Sequence, residues 1–467
     1  MKKILFAVPP SEAKRSALEY PPIYPPLGIL YLAAAVRARL GWDVFVLDGQ
    51  REKDFFRKVL RTAPDYIALS FHTFHSEDAK ITAGKIRALL PETVLIAGGN
   101  HPTYFPAETA RIFDYVVVGE GEETLPELLE ALEKKGRLSE IRGLAFRKSG
   151  RFFFAGRRPF KRKIDELPLP ARDLVDCKSY PGFYYQKRKP DTSVISSRGC
   201  PYKCTFCSKT WGNFQRARSP GNFADELELL SQSGVREIYD WADEFNLVPK
   251  KSSQVLSEIR ARRLDLTFKA QFRANGLGRE YAEELAKTGF WLANVGIESA
   301  NGRTLAGIRK GVTIPQVRSA LRNLKRAGLK TLGFFIGFNI WEENGLLKFE
   351  GVRETRLTLK LIEKLLKERL LDYFTFSLPT PYPGSGLYST AKRHGLLAGN
   401  YSDATSHEMI VRLPGISGAE IAAVKREATI LQAGAAFSAG RLNPGIWKFY
   451  LSKLGEQLKP KFGRRKN

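Results

Sequence analysis

Three of the four cysteines in the chain, Cys200, Cys204 and Cys207, lie within the run Cys-Pro-Tyr-Lys-Cys-Thr-Phe-Cys. Three thiolates can hold three irons of a four-iron cubane and leave the fourth iron open to a substrate or a second cofactor. A structural zinc site takes four protein ligands, usually as two pairs. Here the fourth would have to come from His101 or His394, both remote in sequence. A two-cysteine redox motif would leave the third thiol without a role. Cys177 stands apart and reads as a small inert thiol.

The bulk composition limits where this chemistry takes place. The 467 residues allow two or three domains, and a hydrophobic fraction of 43% supplies full cores. The apolar runs are too short to span a bilayer. The N-terminal run of Ile4, Leu5 and Phe6 breaks at Pro9-Pro10 with no cleavage site after it, so it reads as a first buried strand and the protein as cytoplasmic. In that compartment clustered cysteines bind metal rather than forming disulfides. The 75 basic residues exceed the 49 acidic ones, for a net charge of +26. Most of this excess is dispersed and suits solvated helix faces. The alternatives are an anionic substrate or a membrane-surface contact through the dense tail of Lys459, Lys461, Arg464, Arg465 and Lys466. Nucleic acid is not expected, because no RNA-binding module is visible and the tail has few interleaved aromatics.

The elements that must position the cysteines form two alternating series. In the first, strand runs at 4–8, 44–47, 66–70, 94–97 and 115–118 are separated by amphipathic stretches at 27–40, 52–60, 79–90 and 124–134. This predicts a doubly wound parallel sheet over 1–140, with ligands beyond the carboxyl ends of its strands. Those ends carry Ser70, Thr73, Gly98, Gly99, Gly119 and Glu120. Residues 141–190 read as a linker holding a small hairpin around Ser149-Gly150. In the second series, strands at 193–196, 237–241, 267–271, 292–297, 331–336 and 373–378 alternate with helices. They predict a partial (β/α)6 barrel over 191–400, with chemistry at the carboxyl ends of its strands. The cysteine loop follows the first of these strands. Residues 401–467 read as a helical, basic C-terminal region, with 419–433 as its clearest helix.

The run from Ser196 to Cys207 resembles the signature of the radical S-adenosylmethionine (SAM) superfamily. The resemblance implies that the three cysteines hold a [4Fe-4S] cluster and that SAM chelates the open iron, to be cleaved to a 5′-deoxyadenosyl radical. It also implies SAM contacts at Phe206, Asp243, Glu244, Arg273, Glu298, Ser299 and Ile336. The family often continues after the fifth strand with Pro-Gly-Glu-Thr, where this chain has Phe338-Asn339-Ile340-Trp341-Glu342-Glu343. The runs Pro25–Ala34, Gly98–Thr103 and Val118–Thr124 resemble the cobalamin-binding members, over roughly residues 1–400. For these, cobalamin is implied to bind base-off near Ser70, Thr73, Gly98, Gly99, Gly119 and Glu120, without a histidine ligand. His72 and His75 are the alternative ligands to cobalt. The implied reaction is methyl transfer to an unactivated carbon or to phosphorus. Cyclisation or rearrangement of a lipid, tetrapyrrole or natural product is the alternative. The implied partners are a small-molecule or lipid substrate and an external one-electron donor such as a flavodoxin or ferredoxin.

Overall fold

The computed structural model describes residues 1–11, 22–399, 401 and 409–438. The basic tail expected to meet a membrane lies outside them.

The first sheet is built from β1 (Lys3–Val8), β2 (Asp43–Asp48), β3 (Tyr66–Ser70), β4 (Val94–Gly98) and β5 (Tyr115–Val117), with β6 (Leu144–Lys148) and β7 (Arg151–Phe154) added at one edge. The strand order is β2-β1-β3-β4-β5-β6-β7, and the first five strands run parallel. Alternation along β1 explains why both faces need cover. Ile4 and Phe6 pack with Ile29, Ala33, Leu125 and Leu129 on one side. Leu5 and Ala7 pack with Val59, Ala83 and Ile86 on the other. Each fully buried large side chain contributes about 1.5–3 kcal/mol. The order reverses between β1 and β3, a switch point that opens a crevice at the carboxyl ends of the strands.

The hairpin expected within the linker forms, but it does not hang free. β6 pairs antiparallel with β5, and β7 pairs with β6, so this stretch extends the first sheet. Leu144 and Ala145 are fully buried, and that burial draws the hairpin onto the domain.

The second unit places β8 (Asp191–Val194) before a short antiparallel ribbon of β9 (Ser197–Arg198) and β10 (Arg216–Ala217). The parallel strands β11 (Glu237–Asp240), β12 (Thr267–Phe272), β13 (Phe290–Glu298) and β14 (Lys330–Ile336) follow. After them come a hairpin of β15 (Ile340–Glu343) and β16 (Leu346–Phe349), then β17 (Tyr373–Ser377). The six-stranded sheet has the order β17-β14-β13-β12-β11-β8, and its two end strands do not pair. This is the expected partial barrel. Ala270, Phe272, Val295, Ile297 and Phe335 point outward into the helix-packed core. Lys269 is buried and neutralised by Asp191 at 2.9 Å and Glu237 at 2.7 Å. The helix Gly418–Ser438 packs against β17 and the helix Val352–Lys367. Among the described residues no helix is long and apolar enough to cross a membrane.

Candidate active site

The cysteine loop begins at a residue that must be glycine. Gly199 has φ +87°, and a Cβ there would collide with the Phe214 carbonyl oxygen. Its N–H donates to Asp243 Oδ2 at 2.8 Å, which ties the loop to the end of β11. Thr205 N–H donates to the Ile308 carbonyl at 3.0 Å, and the Thr205 carbonyl accepts from Leu387 N–H at 2.7 Å. Lys209 donates to the carbonyls of Cys200, at 3.2 Å, and of Tyr202. Cys200, Cys204 and Cys207 are free thiols and half-buried. Burial, then the nearby Asp243 carboxylate, pushes the Cys207 thiol up to about 12. Burial also raises Cys200. A bound cationic cluster reverses this balance by deprotonating its ligands.

Single-ion coordination finds no support. Among the described residues no three His, Cys, Asp or Glu side chains converge on one metal-ion position. His101 packs its ring against Phe71 and Phe105, and His394 pairs with Glu342 at 3.0 Å. Thiolates that each hold a different iron of a cubane need not converge on one point.

The groups around the loop fit an amino acid-like ligand. Arg273 is 2% exposed, and its guanidinium lies 3.6 Å from the centroid of the Tyr202 ring, with Nη1 3.9 Å from Cys204 Sγ. Its Nε and Nη2 are buried without hydrogen-bond partners. Asn246 holds its backbone on both sides at 2.9 Å. Buried donors on a cation are costly to leave unpaired, so they call for an anionic partner such as a carboxylate. Glu244 Oε2 is likewise buried and unpartnered. Burial pushes Glu244 up to about 7, against the pull of Lys310 and Arg273, while Glu298 and Asp243 add to the rise. Burial also raises Asp243. A ligand ammonium would return both carboxylates to their charged form.

The later strand ends are more mixed. Glu298 sits at a register shift in β13 with φ +68°, a conformation that costs about 1–3 kcal/mol and recurs at functional sites. Its carboxylate accepts from Lys310 Nζ at 2.8 Å. Ser299, expected beside SAM, is fully buried, and its hydroxyl donates to Glu350 Oε1 at 2.6 Å. That hydroxyl is therefore committed to the protein, and Ser299 braces the end of β13 instead. Ile336 is half-buried, and its carbonyl accepts from Asn339 Nδ2 at 2.6 Å. Phe206 is half-buried and packs between the core and the Leu305–Ile308–Trp341 cluster, with Lys310 Nζ 5.9 Å from its ring centroid.

In the first domain, Gly98 and Gly119 face open space where a side chain would otherwise project. Thr103 links their loops: its hydroxyl donates to the Gly99 carbonyl at 2.8 Å and accepts from Gly119 N–H at 3.0 Å. Gly99 has φ +98°, and a Cβ there would press on the Phe71 backbone at 2.8 Å. Ser70 borders that contact, and Thr73 is buried in the turn after β3. A glycine-lined crevice at the switch point fits a large flat cofactor. His75 is engaged by Asp78 at 3.2 Å and Gln50 at 3.3 Å. His72 is exposed, immediately before the turn that carries Thr73.

Glu120 departs from its expected cobalamin role. Its carboxylate lies between Arg198 at 3.1 Å and Arg216 at 2.8 Å, and Arg198 also pairs with Glu122 at 2.7 Å. These arginines flank the cysteine loop, so Glu120 clasps the first domain to it. Tyr104 makes a second link, 2.9 Å from the Ser208 hydroxyl. Arg198, Arg216, Tyr104 and Lys310 are not singled out by the sequence. An arginine just before the cysteines is the one available signal.

Comparison with known proteins agrees with this geometry. Residues 17–129 match the B12 binding domain, and residues 194–349 match the Radical SAM superfamily. The uncharacterized methyltransferase PH0819 of Pyrococcus horikoshii is 32% identical over 92% of both chains. The chain belongs to the cobalamin-binding radical SAM family. Its cofactors are a [4Fe-4S] cluster, SAM and cobalamin. The anaerobic magnesium-protoporphyrin IX monomethyl ester cyclase of Synechocystis is 28% identical over 85% of this chain and 78% of its own. The radical SAM methyltransferase TsrM of Kitasatospora setae, solved with tryptophan and a SAM analogue, has the same fold. It aligns with a TM-score of 0.69 at 19% identity, covering 91% of this chain and 83% of its own.

Proposed function

We propose that this chain is a cobalamin-dependent methyltransferase acting on an unactivated carbon of a small-molecule or lipid substrate. The observation that carries this reading is the clasp that joins the glycine-lined crevice to the cysteine loop, Glu120 to Arg198 and Arg216. When bound, the cluster and SAM supply a carbon-centred radical, and the corrinoid supplies a transferable methyl group.

Around these groups the protein binds and orients. Cys200, Cys204 and Cys207 hold the cluster. The unpartnered Nε and Nη2 of Arg273 receive the SAM carboxylate, and Asp243 and Glu244 receive its ammonium. Phe206 and Ile336 would contact the adenine side of SAM. Glu298, held by Lys310, faces the ribose. Gly98, Gly99 and Gly119 let the backbone approach the corrinoid tail, and Ser70 and Thr73 flank it. An external flavodoxin- or ferredoxin-type donor supplies the electron in a cytoplasmic setting, and the basic tail, outside the described residues, would supply a membrane-surface contact.

The second reading, radical cyclisation, is favoured by the likeness to the magnesium-protoporphyrin ester cyclase. Methyl-deuterated SAM separates the two. Under methyl transfer the reduced holoenzyme passes the label to its corrinoid. An unlabelled corrinoid, with 5′-deoxyadenosine still released, would favour cyclisation.

A further inference from the structure

The β6–β7 hairpin projects beyond the sheet that carries it. β5 pairs only with Leu144, Ala145 and Phe146, so Arg147 and Lys148 have no strand partner on that side. The tip is closed on itself, with Arg147 opposite Phe152 and Lys148 opposite Arg151. β7 is the sheet's edge, and its Phe152, Phe153 and Phe154 are exposed at 37%, 37% and 38%. Adjacent strand residues point to opposite faces, so Phe152 and Phe154 line one side of the ribbon, and Phe153, stacked on Phe146 at 5.3 Å, lies on the other. Residues 141–163 carry nine basic side chains and no acidic one. Arg158 and Lys161 are paired with Glu127, Glu123 and Glu166. Arg147, Lys148 and Arg151 make no ion pair among the described residues and are exposed at the tip.

A projecting ribbon with rings on both sides and cations at its tip matches the boundary between lipid headgroups and acyl chains. Base stacking would instead place the rings on one open sheet face. We propose that the hairpin is a docking element for an anionic membrane surface. Phe152, Phe153 and Phe154 enter the headgroup layer, and Arg147, Lys148 and Arg151 meet lipid phosphates. The proposal stands apart from the methyl-transfer reading.

Sedimentation of the full-length holoenzyme with vesicles tests it. Binding is expected to phosphatidylglycerol vesicles and not to phosphatidylcholine vesicles, and to weaken as salt rises. R147Q/K148Q/R151Q should lower the partition about a hundredfold, and F152S/F153S/F154S should abolish pelleting, with iron and corrinoid content unchanged. Neutralising the five tail cations should leave hairpin-dependent binding in place. In F154W, brominated phosphatidylglycerol should quench the added fluorescence, which tests insertion without deleting the patch. Four results would overturn the proposal: no vesicle binding; binding that both hairpin variants retain; a hairpin-dependent dimer or RNA complex in place of vesicle binding; or no quenching in F154W.

Discussion

Glu120→Gln is the most informative single substitution. Its carboxylate neutralises two arginines that are 6% and 2% exposed at the side chain, from a position itself only 13% exposed. Glutamine keeps the shape and removes the charge. Breaking a buried pair by removing one partner costs about 3–5 kcal/mol. Arg198 keeps Glu122 at 2.7 Å, and Arg216 keeps the Lys161 and Trp211 carbonyls at 3.1 Å, so the lower end, roughly 3 kcal/mol, is expected. Urea unfolding should show this loss, and a double-mutant cycle with Arg216→Gln should show coupling of about 1–3 kcal/mol. Corrinoid and cluster should dissociate together faster, because the clasp joins their loops. A destabilisation below about 0.5 kcal/mol, the range of an ordinary surface site, would refute the clasp. So would selective loss of corrinoid with stability intact, which would restore Glu120 as a cobalamin contact.

Further predictions concern individual groups. Arg273→Lys should weaken SAM binding about tenfold or more in calorimetry with cluster content intact, because lysine lacks the planar fork. Gly98→Val should lower corrinoid retention without loss of fold, since the space beside Gly98 is open, whereas Gly99→Ala should lower stability, because φ is +98° and the Phe71 backbone blocks a Cβ. Asp240 is pushed up to about 6 by burial, against 3.8 for an ordinary aspartate. Its contribution is therefore fully present below about pH 4 and lost as pH rises through about 6. Asp240→Asn should gain stability over the parent at pH 8, by roughly 2–3 kcal/mol, and the difference should vanish near pH 4 in urea titrations.

The sheets were legible in the sequence because their strands are short β-branched or apolar runs between glycine-bearing turns. The strand runs at 66–70, 94–97 and 331–336 reappear within a residue at either end. The hairpin of β15 and β16 was missed, although Asn344 and Gly345, at φ +52° and +76°, form the kind of Asn-Gly turn that signals one. Alignment with Pro-Gly-Glu-Thr marks that stretch as a loop and hides the turn signal. The cysteines were legible because three of only four thiols fall within eight residues, a spacing that suits a shared cluster far better than separate roles. Ser299 misled because the sequence cannot show that Glu350, far along the chain, takes its hydroxyl. The clasp was illegible for a similar reason: Glu120 lies 78 residues before Arg198, and paired charges look like any others until the fold brings them together.

The central claim is that three thiols and a glycine-lined crevice hold two cofactors that act together. Its most direct test is anaerobic reconstitution with iron, sulfide and hydroxocobalamin, followed by reduction in the presence of SAM. The account predicts about four irons per chain, one retained corrinoid and release of 5′-deoxyadenosine, with iron lost in Cys204→Ala. Zinc in place of iron, or a four-iron protein that releases no 5′-deoxyadenosine, would contradict it.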